Sequence, residues 1–449
     1  MLNEDPVANL PDSTGLWTRL RQGFLGRLKG SEGRFASLGI LAQLITLATY
    51  PLLTRIYPAG IFGEAQAFAS LSVVLIVVAP LRYEYAIFLP RSDRLAAAVV
   101  ELALLAVVVV ALAATAGLWV VFHVWGLFSS MGRIGNLVWL MPGLVTAGAA
   151  TNVLTNLGLR RKQLTNINRS RLLQVALQAL LQLAAGLFTP LGAAGLILGE
   201  FTGRATGAAL LFLRSGLGAI RRTAREWRLM FLVAVRYRRF PLVGAVSALV
   251  NTCGTSIPLF MLGSFYGLGF LGRYVMADRV VNLPNIFFGQ VISQIYMSGV
   301  SASLRCGDEV GARRQLWRYV AGGFAAILPM ALVIWLVGPR AFGLIFGSDW
   351  AQAGVVARQL VFYQIAGFAI WPILPTLNLL ERQGQQLGWD ATRLGLTILA
   401  VCGSAWSGLD AITAARNYGL AMGASYLLYL LLVEHNFRKV MIRAQIKSA

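Results

Sequence analysis

The residues of this chain that could do chemistry are polar groups set inside apolar stretches. The richest set lies between residues 270 and 300: Tyr274, Asp278, Arg279, Asn282, Asn285, Gly289, Gln290, Ser293 and Gln294. At 100° per residue, Asp278, Asn282, Asn285, Gly289 and Ser293 fall within a helical arc of roughly 80°, with Arg279 at its edge. Pro284 lies inside the same stretch and predicts a kink that frees backbone carbonyls. A polar stripe of this length suits a water-filled cavity; interhelical hydrogen bonding is the competing reading. Ser247, Asn251 and Thr255 repeat every fourth residue in a second stretch, and Gly39, Gln43, Thr46 and Tyr50 share a face in a third. A guanidinium at such a site can hold an anion, and phosphate suits arginine through paired hydrogen bonds. Arg279, Arg273 and Arg55 are the candidates. Glu64 and Asp278 are the carboxylates best placed for ion or proton coupling. Simple charge pairing, Glu64 with Arg55 and Asp278 with Arg279 or Arg273, competes with that role.

Other polar groups read as structural. Glu200 and Arg204, four residues apart, suit a pair along one helix. Gln174, Gln178 and Gln182 form a stripe that suits packing. Pro372 and Pro375 break another apolar stretch, and Glu101 and Arg358 have no obvious partner in the sequence.

The elements that must position these groups are membrane spans. The chain is 57% hydrophobic and 13% charged, with a mean hydropathy of +0.67, the balance of a polytopic membrane protein. Twelve apolar stretches of about bilayer length fall at 35–54, 62–81, 95–122, 135–158, 171–189, 191–213, 240–263, 270–300, 318–338, 353–380, 388–407 and 411–433. Their loops alternate in charge. Basic residues cluster at Arg19 to Arg34, Arg82 to Arg94, Arg160 to Arg171, Arg214 to Arg239, Arg305 to Arg318, Arg382 and Arg438 to Lys447. The intervening loops hold Arg55, Arg133, Arg273, Arg340 and Arg416, one each at most. The positive-inside rule therefore places both termini in the cytoplasm.

The expected layout is a basic segment 1–34, six spans in 35–213, a basic linker 214–239, six spans in 240–433 and a basic tail 434–449. Residues 1–30 lack the apolar core of a signal peptide. They suit an interfacial helix through Leu16, Trp17, Leu20, Phe24 and Leu28, or a disordered basic tail. Six spans in each half give a parallel repeat, related by an axis along the membrane normal. A local match supports it: Pro51-Leu-Leu-Thr-Arg-Ile-Tyr then Ile61-Phe-Gly-Glu, against Pro258 to Tyr266 then Phe270-Leu-Gly-Arg.

The net charge of +21 does not indicate nucleic acid, because the basic residues sit at helix ends on one face. Cys253, Cys306 and Cys402 are scattered and His123 and His435 are far apart, so neither a disulfide framework nor a metal site is expected. No cofactor is expected. The short loops leave no room for a catalytic domain, which argues against an enzyme.

The run Tyr50-Pro-Leu-Leu-Thr-Arg-Ile-Tyr-Pro-Ala-Gly-Ile-Phe-Gly, then Leu81-Arg-Tyr-Glu-Tyr-Ala-Ile-Phe-Leu-Pro and Arg91-Ser-Asp, resembles bacterial polysaccharide biosynthesis proteins of the Wzx-type oligosaccharide flippase family. The resemblance implies an all-α fold, two six-helix bundles forming a V around a central cavity lined by spans 1, 2, 7 and 8. It implies transfer of an undecaprenyl-pyrophosphate-linked repeat unit across the inner membrane by alternating access, for O-antigen, capsule or exopolysaccharide. In that frame Arg55, Arg273 and Arg279 hold pyrophosphate or acidic sugar. Gln43, Asn251, Asn282 and Asn285 contact sugar, and Glu64 or Asp278 couples to an ion gradient. Arg82 and Glu84, in the second motif, act as a gate or structural clamp. A polysaccharide polymerase and a chain-length regulator are the expected partners. A multidrug antiporter, a lipid II flippase and a non-transporting scaffold for polysaccharide enzymes are the competing readings.

Overall fold

A computed structural model describes residues 31–123, 132–215, 227–380 and 382–448. The expected interfacial helix within 1–30 and linker residues 216–226 lie outside the described residues. Among the described residues every regular element is helical. Hydrocarbon leaves backbone amides no water to bond, and a helix satisfies them within one segment. The membrane helices are α1 (Ser31–Ile56), α2 (Ala59–Val78), α3 (Asp93–His123), α4 (Met141–Arg160), α5 (Leu164–Phe188), α6 (Ala193–Arg214), α7 (Ala245–Tyr266), α8a (Leu268–Val281) with α8b (Gln290–Arg305), α9 (Glu309–Phe346), α10 (Ala351–Ile370), α11 (Gln383–Trp406) and α12 (Ala411–Ser448). Each coincides with an expected span.

Among the described residues, eight membrane-length segments are apolar enough to cross a bilayer on composition alone. The expected spans outside that set are α1, α8, α11 and α12. Of these, α8, α11 and α12 carry polar groups along their lengths, among them Gln386, Asp390 and Arg393 in α11 and Arg416 and Asn417 in α12. The eighth span is also interrupted. Proline at 284 leaves the Val280 carbonyl without a helical donor. The chain responds by ending α8a at Val281 and passing through a π-helical turn, Asn285–Gly289, before α8b resumes.

Helix pairs approach closely where small residues line the contact. Gly199, Gly203 and Gly207 of α6 face the glutamine stripe of α5, and Gly195 faces Ala185. A methyl group at Gly199 would lie 2.5 Å from Gln182 Cγ, and one at Gly203 2.7 Å from the Gln174 carbonyl. This is small-residue packing of the kind bilayers favour, and Gln182 adds a hydrogen bond to the Leu196 carbonyl at 2.9 Å.

The later part of the basic linker lies among the described residues. Helix Trp227–Arg236 buries Val233 among Ala97 to Val100 and Leu157. At the opposite end of the chain α12 runs beyond its span, and buried Glu434 ties it to the start of α9. Glu434 accepts from Arg313 at 2.6 Å, Trp317 Nε1 at 3.0 Å and Arg438 at 2.9 Å. Burial alone would raise the Glu434 pKa, but the hydrogen bonds from Arg313, Arg438 and Trp317 hold it down to about 2.

The two groups of six meet along α2, α7 and α8a. On the arginine-poor face the seam is backbone on backbone. A methyl group at Gly63 would lie 1.7 Å from the Leu268 carbonyl oxygen, and one at Gly272 2.0 Å from the Ala59 carbonyl oxygen. Each glycine thus meets the carbonyl four residues before its counterpart. The pairing follows the repeat proposed from sequence, in which Gly63 aligns with Gly272.

Candidate transport site between the helix groups

Position 279 is where the two halves exchange chemistry. Arg279 projects from α8a toward the first group, donates to Gln66 Oε1 of α2 at 2.9 Å and lies over the Tyr50 ring of α1 at 4.4 Å. A guanidinium carries five N–H donors, and among the described residues Gln66 takes one hydrogen bond. Arg279 borders a cavity of about 70 Å³. The remaining lining comes from α1 (Tyr50, Leu53), α2 (Phe62, Ala65, Gln66, Ala69), α5 (Gln178, Gln182) and α6 (Leu196, Ile197, Glu200). The Glu200 charge is balanced within its own helix by Arg204 at 2.8 Å, as the four-residue spacing predicts. The cavity therefore offers one cation from the second group facing amides and a phenol from the first.

The three candidate arginines do not converge. Arg273 lies six residues before Arg279, about 9 Å along the axis and 120° around it. It is half-buried, and its buried Nε has no hydrogen-bond partner among the described residues. Arg55 is exposed at the end of α1 on the arginine-poor face. Gln43 is half-buried on α1, about two turns from Tyr50.

The described hydrogen bonds of the polar stripe in the eighth span fit the interhelical one of its two sequence readings: they run to α10 and the turn after it. Asp278 Oδ1 accepts from the Tyr363 hydroxyl and from Asn282 Nδ2, the latter at 2.9 Å. Asn282 Nδ2 also lies 2.8 Å from the Tyr363 oxygen, and Asn285 donates to Asn282 Oδ1 at 3.4 Å. Further along, Ser293 donates to the Pro372 carbonyl at 2.9 Å, and Gly289 makes room for the Trp371 ring. Successive residues on one helix thus point in different directions, Asp278 into the second group and Arg279 out of it.

Asn251 accepts from Arg393 at 3.0 Å. Arg393 is 5% exposed within the membrane, pairs with Asp390 at 3.2 Å and lies over the Trp389 ring at 4.7 Å. Glu64, next to the glycine seam, is 6% exposed.

Arg82 and Glu84 stand at the arginine-rich end of α2. Leu81 and Arg82 both adopt positive φ, 51° and 61°, a costly conformation for residues with a side chain. Arg82 meets Glu84 at 3.5 Å, covers the Tyr85 ring at 4.4 Å and packs beside Gly244 at the start of the seventh span. Burial raises the Glu84 pKa in spite of the nearby guanidinium.

Sequence reasoning did not single out Gln66 or Tyr363. Gln66 was visible as the amide of α2, two residues after Glu64. Tyr363 carries no such signal, since a tyrosine in an apolar helix is ordinary.

Comparison with solved structures supports the fold. The chain is similar to an inward-facing multidrug resistance MATE family transporter of the MOP superfamily, 12% identical over 90% of this chain and 99% of that one, with a TM-score of 0.70. It is similar to the lipid II flippase MurJ in an inward closed conformation, 14% identical over 92% and 90%, with a TM-score of 0.64. A MATE structure in complex with MaL6 is 13% identical over 90% and 94%, with a TM-score of 0.56. No curated protein matches the sequence. The family model described as polysaccharide biosynthesis protein matches residues 107–355, more than half of the chain. That region begins after the motifs at 50–93, so the match and the motif resemblance rest on different residues. This chain is a multi-pass membrane protein that belongs to the polysaccharide biosynthesis protein family.

Proposed function

We propose that the protein is an alternating-access flippase that carries an undecaprenyl-pyrophosphate-linked oligosaccharide repeat unit from the cytoplasmic to the periplasmic leaflet of the bacterial inner membrane. Both termini are cytoplasmic in this reading, so the arginine-rich face is the entry side. The observation that carries it is Arg279: an intramembrane guanidinium, with donors left over, on the boundary between the halves and facing amides. Its charge suits pyrophosphate. The Gln66, Gln178, Gln182 and Tyr50 groups suit sugar hydroxyls, while the lipid tail stays in the bilayer. Arg273 and Arg55 are the proposed cationic contacts nearer the exit. Gln43, Asn251, Asn282 and Asn285 become sugar contacts only after their helices move, since Asn251, Asn282 and Asn285 are engaged in the second group. Asp278 and Glu64 are the proposed coupling carboxylates, and Arg82 with Glu84 the clamp at the entry side.

The test is surface glycan in a deletion strain complemented with Arg279→Ala. Loss of glycan at an intact protein level, with lipid-linked repeat units accumulating on the cytoplasmic side, supports the flippase. Normal glycan in that mutant overturns the assignment, and raised sensitivity to cationic drugs with unchanged glycan in the deletion strain favours multidrug export.

A further inference from the structure

The motif Thr54 to Gly63 contributes Phe62 to the cavity wall, but that leaves most of its residues unexplained. Its backbone supplies the reason for the rest. In a regular helix the Thr54 carbonyl accepts the N–H of residue 58. Residue 58 is proline, which has none. The missing donor comes from the other half of the chain: the Trp350 indole Nε1 donates to the Thr54 carbonyl at 2.9 Å. Trp350 closes the short turn Ser348–Trp350 between α9 and α10. It is 1% exposed and meets the Phe62 ring edge-on at 5.5 Å. The first motif therefore builds a socket, one proline making an unpaired acceptor and one phenylalanine a wall, and the second group fills it.

We propose that Trp350 is the latch of the gate on the arginine-poor face, and that it must withdraw from the Thr54–Pro58–Phe62 socket before the cavity opens to that side. The inference rests on the alternating-access reading above but not on the substrate. Indole is specific for this task. Phenylalanine keeps the ring contact yet leaves a buried carbonyl unpaired. When the gate opens, water reaches that carbonyl and replaces the donor, so the penalty of a missing N–H falls on the closed state alone.

The experiment uses the full chain with Cys253, Cys306 and Cys402 replaced and a single reporter, Ala69→Cys. Position 69 lines the cavity and lies about 10 Å beyond Phe62 along α2. Right-side-out vesicles are treated with a membrane-impermeant maleimide, and labelling is normalised to the denatured protein. The reporter parent labels slowly. Trp350→Phe raises the rate about 2- to 10-fold, the population shift that one lost hydrogen bond produces, and Trp350→Ala raises it further. Rates equal to the parent overturn the latch. Should Trp350→Ala fail to accumulate, Trp350→Phe decides by the same readout. Faster labelling in a protein that moves no glycan rejects the flippase reading and leaves the latch standing; unchanged labelling in a protein that moves glycan does the reverse.

Discussion

Adding one methyl group at Gly63 should change the conformational equilibrium of the whole protein. The Cβ of Gly63→Ala would sit 1.7 Å from the Leu268 carbonyl oxygen and 2.9 Å from the Gly272 nitrogen. Both are backbone atoms, so no rotamer change relieves the contact. Ordinary packing begins near 3.4 Å, and α2 and α8a must part by roughly 1.7 Å to accept the methyl, an overpacking penalty of about 1–3 kcal/mol. That penalty applies only where the seam is closed. It shifts the balance toward the seam-open state by about 5- to 150-fold. Gly60→Ala, one turn earlier with nothing within 4 Å, is the control and should be neutral. Spin labels at Leu191 and Phe265, exposed residues beside the arginine-poor ends of α6 and α7, report the separation by pulsed dipolar spectroscopy. The Gly63→Ala distribution should move to longer distances while the Gly60→Ala distribution stays with wild type, and surface glycan should fall in the first only. Superimposable distributions and normal glycan in Gly63→Ala would refute the reasoning.

Further perturbations separate structure from transport. Removing the Arg393 guanidinium with Arg393→Ala leaves Asp390 buried without its partner and should cost about 3–5 kcal/mol of stability; thermal unfolding in detergent measures it, and adding Asp390→Asn should recover part of the loss. The bonds to Glu434 hold its pKa down to about 2 in the folded protein against about 4.3 unfolded, so its bonds to Arg313 and Trp317 stabilise fully above the unfolded value and are lost as pH falls through the folded one. The deficit of Glu434→Gln should therefore be about 1–3 kcal/mol near neutrality and shrink steadily as unfolding is measured from about pH 5 down to about pH 2. Asp278→Asn and Tyr363→Phe should both abolish the dependence of transport on an imposed ion or proton gradient while protein level is kept; a gradient response retained in Asp278→Asn removes Asp278 from the coupling role.

The span pattern was legible because burial in lipid forces one periodicity and one length, and charge sorting marks the loops. The break in the eighth span was legible from Pro284 alone. The direction of each polar side chain was not. Asp278, Asn282, Asn285 and Ser293 share a face by arithmetic, but helical angle does not say whether that face meets solvent or α10. The partner groups, the Tyr363 hydroxyl and the Pro372 carbonyl, lie about 80 residues away in sequence. Arg279 was assigned to an anion site from its type and place, and the structure sets it on a cavity wall between the halves. Arg55 and Arg273 share its charge but not its location, because one sits exposed in the last turn of α1 and the other 120° around the axis. The Trp350 contact was beyond reach for a different reason: an acceptor orphaned by Pro58 can be read from sequence, but the donor that answers it, 296 residues on, cannot.

The glycine seam has the geometry of a twofold contact. A contact in which each side presents the same backbone pattern to the other is the isologous interface of a twofold dimer. In a dimer of identical six-helix chains, the residue after that glycine would carry the same charge on both subunits. Here the glycines are followed by Glu64 and Arg273, opposite in sign. A single polypeptide leaves the two sides of such a joint free to differ, and that asymmetry gives the protein a polarity that a pair of equal subunits could not encode.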